Sequence, residues 1–115
     1  MVPFAFPKSE RLRKRSEYVD VQQRGRKVQT DHFLLLWLRC PDRAGTRVGI
    51  TVSSKVGNAV VRNRLKRWTR EYVRRHKAEL PAGNLAVVAK VSASGCGHDV
   101  IDQDLHRLFM RPRSD

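Results

Sequence analysis

Six consecutive apolar residues, Phe33-Leu34-Leu35-Leu36-Trp37-Leu38, constrain the fold more than any other stretch of the chain. Residues 32–39 alternate as a β-strand does. Phe33, Leu35 and Trp37 take one face and Leu34, Leu36 and Leu38 the other, so the strand calls for cover on both sides. The same run is the longest apolar stretch present, far short of the roughly 20 residues a membrane-spanning helix needs. A chain of 115 residues buries about two-thirds of its unfolded surface, enough for one two-layer core in one domain.

The remaining elements follow from spacing and punctuation. Ser16 is a good N-cap and Gly25 a good stop for a short helix over 17–24. Residues 41–45 read as a turn and 46–53 as the next strand, with Gly49 a bulge or a point of close approach. Residues 58–77 have helical spacing and form the longest element. Residues 81–83 end it, 85–91 make a short apolar strand, and 92–97 a loop of small residues. A closing helix over 99–110 carries Asp99, Asp102 and Asp104 at its start and Arg107 and Arg111 at its end, the order the helix dipole favours. Ile101, Leu105, Leu108 and Phe109 supply its core stripe. The order is helix, two or three strands, helix, strand, helix. That predicts an α+β fold, a single two-layer α/β sandwich written α-β-β-β-α-β-α. Residues 1–15, with Lys8, Arg11, Arg13, Lys14 and Arg15 and no apolar period, predict a basic N-terminal arm. The domain is expected over 16–112 and a tail over 113–115.

Charge says what such a domain meets. Lysine and arginine number 24 against 11 acids, a formal net charge of +13. With 40% apolar residues this is a folded domain rather than a disordered basic tail, and it calls for a polyanion. On a helical wheel with Val61 at zero, Leu65, Trp68 and Tyr72 fall within about 40° of it, a stripe for the sheet. Lys66, Arg70, Asn63, Arg74 and Arg67 spread from about 140° to about 240°, with no acid among them. Glu71 is the one acid against nine Lys/Arg from Lys55 to Lys77. Like charges four apart, such as Lys66/Arg70 and Arg70/Arg74, repel, and a phosphate lattice would neutralise them. Together with the eight Lys/Arg of residues 8–27, these stretches hold seventeen of the 24 cations. Arginine outweighs lysine in the helix, which suits fork-like recognition of phosphate and stacking on bases. RNA is favoured over duplex DNA because a sheet with a basic arm suits single strands and irregular folds, although composition leaves that choice open.

Other chemistries find no foothold. Cys40, Cys96, His32, His76, His98 and His106 lack a zinc spacing, Cys96 and His98 read as a loop thiol and a solvated imidazole, and no Gly-rich phosphate loop is present. A protein nuclease would want metal-binding acids beside its basic face; the helix has none there. No catalytic residue and no bound metal are therefore expected. The two cysteines do not make a disulfide framework and read as free thiols of a reducing, cytoplasmic compartment. Residues 1–7, interrupted by Pro3 and Pro7 with no cation ahead, do not read as a secretory signal.

The block Val56-Gly57-Asn58-Ala59-Val60-Val61-Arg62-Asn63-Arg64-Leu65-Lys66-Arg67-Trp68-Thr69-Arg70 closely resembles the signature of the bacterial ribonuclease P protein subunit. The preceding Arg47-Val48-Gly49-Ile50-Thr51-Val52-Ser53-Ser54-Lys55 is similar to that family's strand into the helix. Arg11-Leu12, Tyr18, Gly25 and Phe33 also stand at family-like spacing, and the resemblance runs from about Phe6 to Met110. It implies a left-handed βαβ crossover through the arginine-rich helix. It further implies a subunit of the ribonucleoprotein endonuclease that removes the 5′ leader from precursor tRNA, leaving a 5′ phosphate, with the RNA subunit performing catalysis with Mg²⁺. Carried over, Arg62, Asn63, Arg64, Lys66, Arg67 and Arg70 would face the catalytic RNA, joined by Arg74 of the same helix. Arg62 and Arg64 flank the apolar stripe and are expected also to hold the helix to its neighbours. A cleft between the sheet and the first helix would hold the leader through Tyr18, Phe33, Ser53 and Lys55. Gln22 and Leu36 stand where relatives often carry aromatics, and Tyr18 and Phe33 have a plain core role as their alternative. A small structural RNA-binding protein of ribosomal type, with no part in cleavage, is the second functional reading. Neither a membrane nor an obligate protein partner is expected.

Overall fold

The computed structural model of the chain describes residues 11–12, 14–39, 46–80 and 82–114, the last four by backbone alone. Four strands form one sheet: β1 (Arg26–Gln29), β2 (Phe33–Leu38), β3 (Thr46–Thr51) and β4 (Gly83–Ala89), in the spatial order β1-β2-β4-β3. Ahead of the sheet lies α1 (Arg15–Arg24); α2 (Ala59–Arg75) joins β3 to β4, and α3 (His98–Ser114) follows β4. β2 is antiparallel to β1 and β4, whereas β3 runs parallel to β4. A parallel pair needs a long crossover, and α2 supplies it. The element order is the expected α-β-β-β-α-β-α.

The double-sided character of β2 is realised. On one face the rows Val28–Leu35–Val87–Ile50 and Trp37–Leu85–Val48 meet Leu65, Tyr72 and Val73 of α2 and Ile101, Leu105, Leu108 and Phe109 of α3. Each fully buried Leu, Ile or Phe there contributes about 1.5–3 kcal/mol. On the other face the row Leu36–Ala86–Gly49 lies under α1, packed with Leu12, Val21 and Tyr18. Sheet, α2 and α3 are thus the expected sandwich, and α1 adds partial cover behind it. Gly49 is the point of close approach rather than a bulge, since its register with Ala86 is unbroken. A Cβ there would overlap the Tyr18 phenol ring.

Several boundaries differ from expectation. The first helix starts at Arg15, capped at Lys14 rather than Ser16: the Lys14 backbone N–H donates to Glu17 Oε1 at 3.1 Å, and Arg47 donates to Glu17 Oε2 at 2.9 Å. Arg11 forms an isolated parallel bridge with Val48, the Leu12 N–H donates to Val48 O at 3.1 Å, and Leu12 is buried. The domain therefore reaches back to Arg11, and Arg11, Lys14 and Arg15 belong to it rather than to a free arm. Lys8 and Arg13, the turn expected at 41–45, and Cys40 lie outside the described residues. β3 stops at Thr51, β4 begins at Gly83, residues Val91–Gly95 form a 3₁₀ turn, and α3 continues to Ser114, so residues 113 and 114 belong to the helix. Among the described residues no helix is long and apolar enough to cross a membrane.

Asp104 is the one fully buried carboxylate among the described residues. It accepts from Thr30 Oγ1 at 2.6 Å and from the His32 N–H at 3.1 Å, with the Arg107 guanidinium 3.5 Å away. Both hydrogen bonds fall on Oδ2, while Oδ1 has only the Arg107 contact and no hydrogen-bond partner; the carboxylate ties α3 to the β1–β2 turn.

Candidate nucleic-acid interface

The block leading into α2 is a helix-start device. Val56 is buried and fixes the loop, and its N–H donates to Ser53 O at 3.0 Å. Gly57 stands so near Val61 that a Cβ would come within 3.1 Å of that side chain. Asn58 caps the helix, its Oδ1 accepting from the Val61 N–H at 3.0 Å, which satisfies one of the free amides of the first turn.

From that start the helix turns a buried stripe of Leu65, Thr69, Tyr72 and Val73 to the core. The stripe is rotated from the expected one because Thr69, though polar, is buried with its hydroxyl donating to Leu65 O at 2.8 Å. Trp68 is only half-buried and stacks on His98 of α3, ring centroids 4.7 Å apart at 5°. Away from the stripe, Asn63, Arg67, Arg70 and Arg75 are exposed, while Lys66 and Arg74 are half-buried. Of the expected residues, Asn63, Lys66, Arg67, Arg70 and Arg74 lie along the outer side of the helix, and Arg75 is exposed in its last turn. Among the described residues, none of Arg62, Lys66, Arg67, Arg70, Arg74 and Arg75 has a carboxylate partner. The buried Nε atoms of Arg62, Arg64 and Arg74 have no hydrogen-bond partner. Arg64 does tie the helix down, donating to Ser94 O at 3.3 Å with its guanidinium 5.3 Å over the Trp68 ring. Arg62, at the other margin, makes no such bond to a neighbouring element among the described residues.

The α1 side of the sheet forms a second surface. Beyond the part that α1 covers, the row Gln29–Leu34–Val88–Thr51 crosses all four strands, with Gln29 and Thr51 exposed and Leu34 and Val88 half-buried. Tyr18 borders it, half-buried, its hydroxyl donating to Leu12 O at 3.2 Å. Burial, reinforced by the Glu17 carboxylate, raises the Tyr18 pKa, so the phenol stays neutral. Ser53 and Lys55 are exposed on the loop that leaves β3. Phe33 does not belong with them. It is 1% exposed and sits in the core under α2 and α3, so it offers no face to a nucleotide, and the core alternative holds. Leu36 is likewise buried, beneath α1, whereas Gln22 is exposed. Thr51 and Val88 are the members of this surface that spacing did not reveal, although strict alternation from Gly49 places Thr51 there.

Cys96 is a free, half-buried thiol, and its neighbour is His32, with Sγ to Nε2 at 3.5 Å, rather than His98. Among the described residues no group of three His, Cys, Asp or Glu side chains could hold a metal ion.

The sequence profile of the family described as Ribonuclease P matches residues 6–113. The chain belongs to that family. The ribonuclease P protein component of Geotalea uraniireducens is 40% identical over 111 residues, covering 96% of this chain and 97% of that one. Its counterpart from a Geobacter species is 44% identical over 108 residues, covering 94% and 92%. The solved RNase P protein of Staphylococcus aureus superposes with a TM-score of 0.84 at 30% identity, over 88% of this chain and 93% of that one. The RNase P protein of Thermotoga maritima, solved with 1-(4-fluorophenyl)-2-thiourea, gives 0.81 at 31%, over 88% and 98%. The chain is thus a protein subunit of ribonuclease P, a ribonucleoprotein endoribonuclease of tRNA processing.

Proposed function

We propose that the outer surface of α2 docks the RNA subunit of ribonuclease P and that the open sheet face beside α1 takes the single-stranded 5′ leader of precursor tRNA. In the cytoplasm the RNA, using its own Mg²⁺, cuts the precursor. The observation that carries this reading is the row of unpartnered cations on α2. Arg62/Lys66, Lys66/Arg70 and Arg70/Arg74 are like-charge pairs four residues apart, each costing about 0.2–0.5 kcal/mol. A phosphate lattice removes that repulsion and gains charge-assisted bonds, bidentate where arginine is the donor. On the opposite sheet face, Tyr18 and the half-buried Leu34 and Val88 offer flat apolar contact to splayed bases, and Ser53 and Lys55 offer polar contacts. The protein then neutralises phosphate, favours the folded RNA and holds precursor better than product.

Assembly with a cognate RNA subunit tests the docking surface. With about six phosphates neutralised, log K against log salt falls with a slope of about −4 to −5; a slope near zero refutes it. Precursors with and without the 5′ leader test the groove. The leader-bearing precursor binds more tightly to the assembled particle, and equal affinities refute the groove and leave a purely structural RNA-binding subunit.

A further inference from the structure

Phe109, Tyr72 and His76 form a ladder of near-parallel rings at the seam of α2 and α3. Tyr72 lies 5.6 Å from Phe109 at 9°, and His76 4.0 Å from Tyr72 at 16°. Phe109 is fully buried, Tyr72 nearly so, and His76 half-buried, so the ladder runs from the core to the surface. His76 Nδ1, 2.9 Å from Tyr72 O, fixes the imidazole over the phenol. His106 meets the Tyr72 ring edge-on and lies 3.1 Å from its hydroxyl. At the outer end of the ladder is a cleft of about 560 Å³ lined by Tyr72, His76, Asp102, Gln103, His106 and Arg107, within the roughly 300–1,000 Å³ that small ligands occupy.

We propose that this cleft binds one unpaired nucleobase of the RNA subunit, with guanine the preferred base, stacked on His76 and read at its edge by Asp102 and Gln103. The proposal rests on the reading of α2 as the RNA-docking helix. A fourth flat ring continues the ladder where the protein's own rings stop, and single bases recognised by proteins are held by such stacking. The charges at the cleft select a base over a free anion. Burial first, then the Glu79 and Asp102 carboxylates, hold the Tyr72 hydroxyl in its neutral form, and Asp102, which lines the cleft, repels phosphate. Arg107 is shared with Asp104, 3.5 Å away. Asp102 has only a loose contact with His98, at 3.7 Å, leaving its oxygens to accept. Guanine presents two adjacent N–H donors on its Watson–Crick edge, matched to the two oxygens of a carboxylate. Because α2 and α3 cover the sheet face opposite α1, the base belongs to the RNA docked on α2 and not to the leader.

Nuclear magnetic resonance of the full chain titrated with GMP, AMP and ribose 5-phosphate tests the site. GMP shifts the Gln103 side-chain amide and the His76 and His106 ring signals saturably and at lower concentration than AMP, while ribose 5-phosphate leaves them in place. No shift with GMP overturns the proposal, and so does an equal shift with ribose 5-phosphate, which marks an anion site only. In RNA-subunit binding, Gln103→Ala/His106→Ala weakens affinity about five- to tenfold with the salt slope unchanged, since a base contact releases no counterion. Gln103→Ala alone, on an exposed side chain, gives part of that loss without touching the ladder. If both cleft variants bind as wild type while Arg67→Ala/Arg70→Ala fails, the cleft falls and the docking helix stands; if all bind as wild type, the docking helix falls with it.

Discussion

Replacing Arg67 and Arg70 together with alanine removes two guanidinium groups from the exposed outer side of α2. Neither has a carboxylate partner among the described residues, so no ion pair is broken. Arg70 stands four residues from both Lys66 and Arg74, and its loss relieves two repulsive pairs of about 0.2–0.5 kcal/mol each. Alanine is also the better helix former. The thermal midpoint should therefore hold or rise slightly, with stability inside about 0.5 kcal/mol of wild type. RNA binding should behave oppositely. Each phosphate contact carries about 0.7–0.9 of the log–log salt slope, so the double variant flattens the slope by about 1.4–1.8. At 0.15 M salt that is an affinity loss of about 15- to 30-fold, or roughly 2 kcal/mol. Filter binding of the cognate RNA subunit across a salt series, beside a thermal melt of each protein, reads both numbers. A loss of affinity with an unchanged slope, or with a melt lowered by several degrees, refutes the reasoning, since the side chains would then be acting through the fold.

Other outcomes follow from the same geometry. Gly49→Ala drives a methyl into the Tyr18 ring and should cost about 1–3 kcal/mol in a urea melt, the usual penalty of overpacking; a neutral change means that Tyr18 does not rest on the sheet. Thr51→Glu places a carboxylate on the open row beside Tyr18 and should lower the leader-dependent part of precursor affinity about two- to fivefold, leaving leaderless tRNA unaffected; equal losses on both substrates refute the groove. Burial first, then the Glu79 and Asp102 carboxylates, push the Tyr72 phenol from 10.0 up to about 12. A pKa raised in the folded state makes the stabilisation from this group complete below pH 10 and lost as pH climbs toward 12. Ultraviolet titration of Tyr72→Phe against wild type should assign the latest-ionising phenol to Tyr72; ionisation of that group near pH 10 contradicts its burial.

What the sequence revealed, it revealed through period and punctuation. The two-sided alternation of β2 announced cover on both faces, and the helical spacing of 58–77 with its acid-free row announced α2 as the charged element. What it hid depends on tertiary context. β1 carries only Val28 as a buried residue, so neither hydrophobicity nor alternation marks it. The α1 cap depends on Glu17, which Arg47 of a distant strand holds in place, whereas Ser16 is the better cap by propensity. Phe33 and Tyr18 are both aromatics at family-like spacing, yet strand parity sends Phe33 into the core and helix phase leaves Tyr18 at a surface. Asp104 could have been noticed, since an acid at the spacing of Ile101, Leu105 and Leu108 falls on the apolar stripe, where a carboxylate survives only with buried donors. The ladder was legible only in part: Tyr72 and His76 stand four apart at the end of one helix, whereas Phe109 comes from another and shares no spacing with them.

The link from β3 to α2 is short, residues 52–58, and Val52 and Val56 fasten it into the core at two points, each no more than 6% exposed. A connector pinned twice within five positions cannot act as a hinge. The arginine surface and the strand that ends at Thr51 are therefore parts of one stiff body, with a separation that thermal motion barely alters. Such a part serves a larger machine as a spacing jig: whatever seats on the helix and whatever lies along the strand are held at a constant offset.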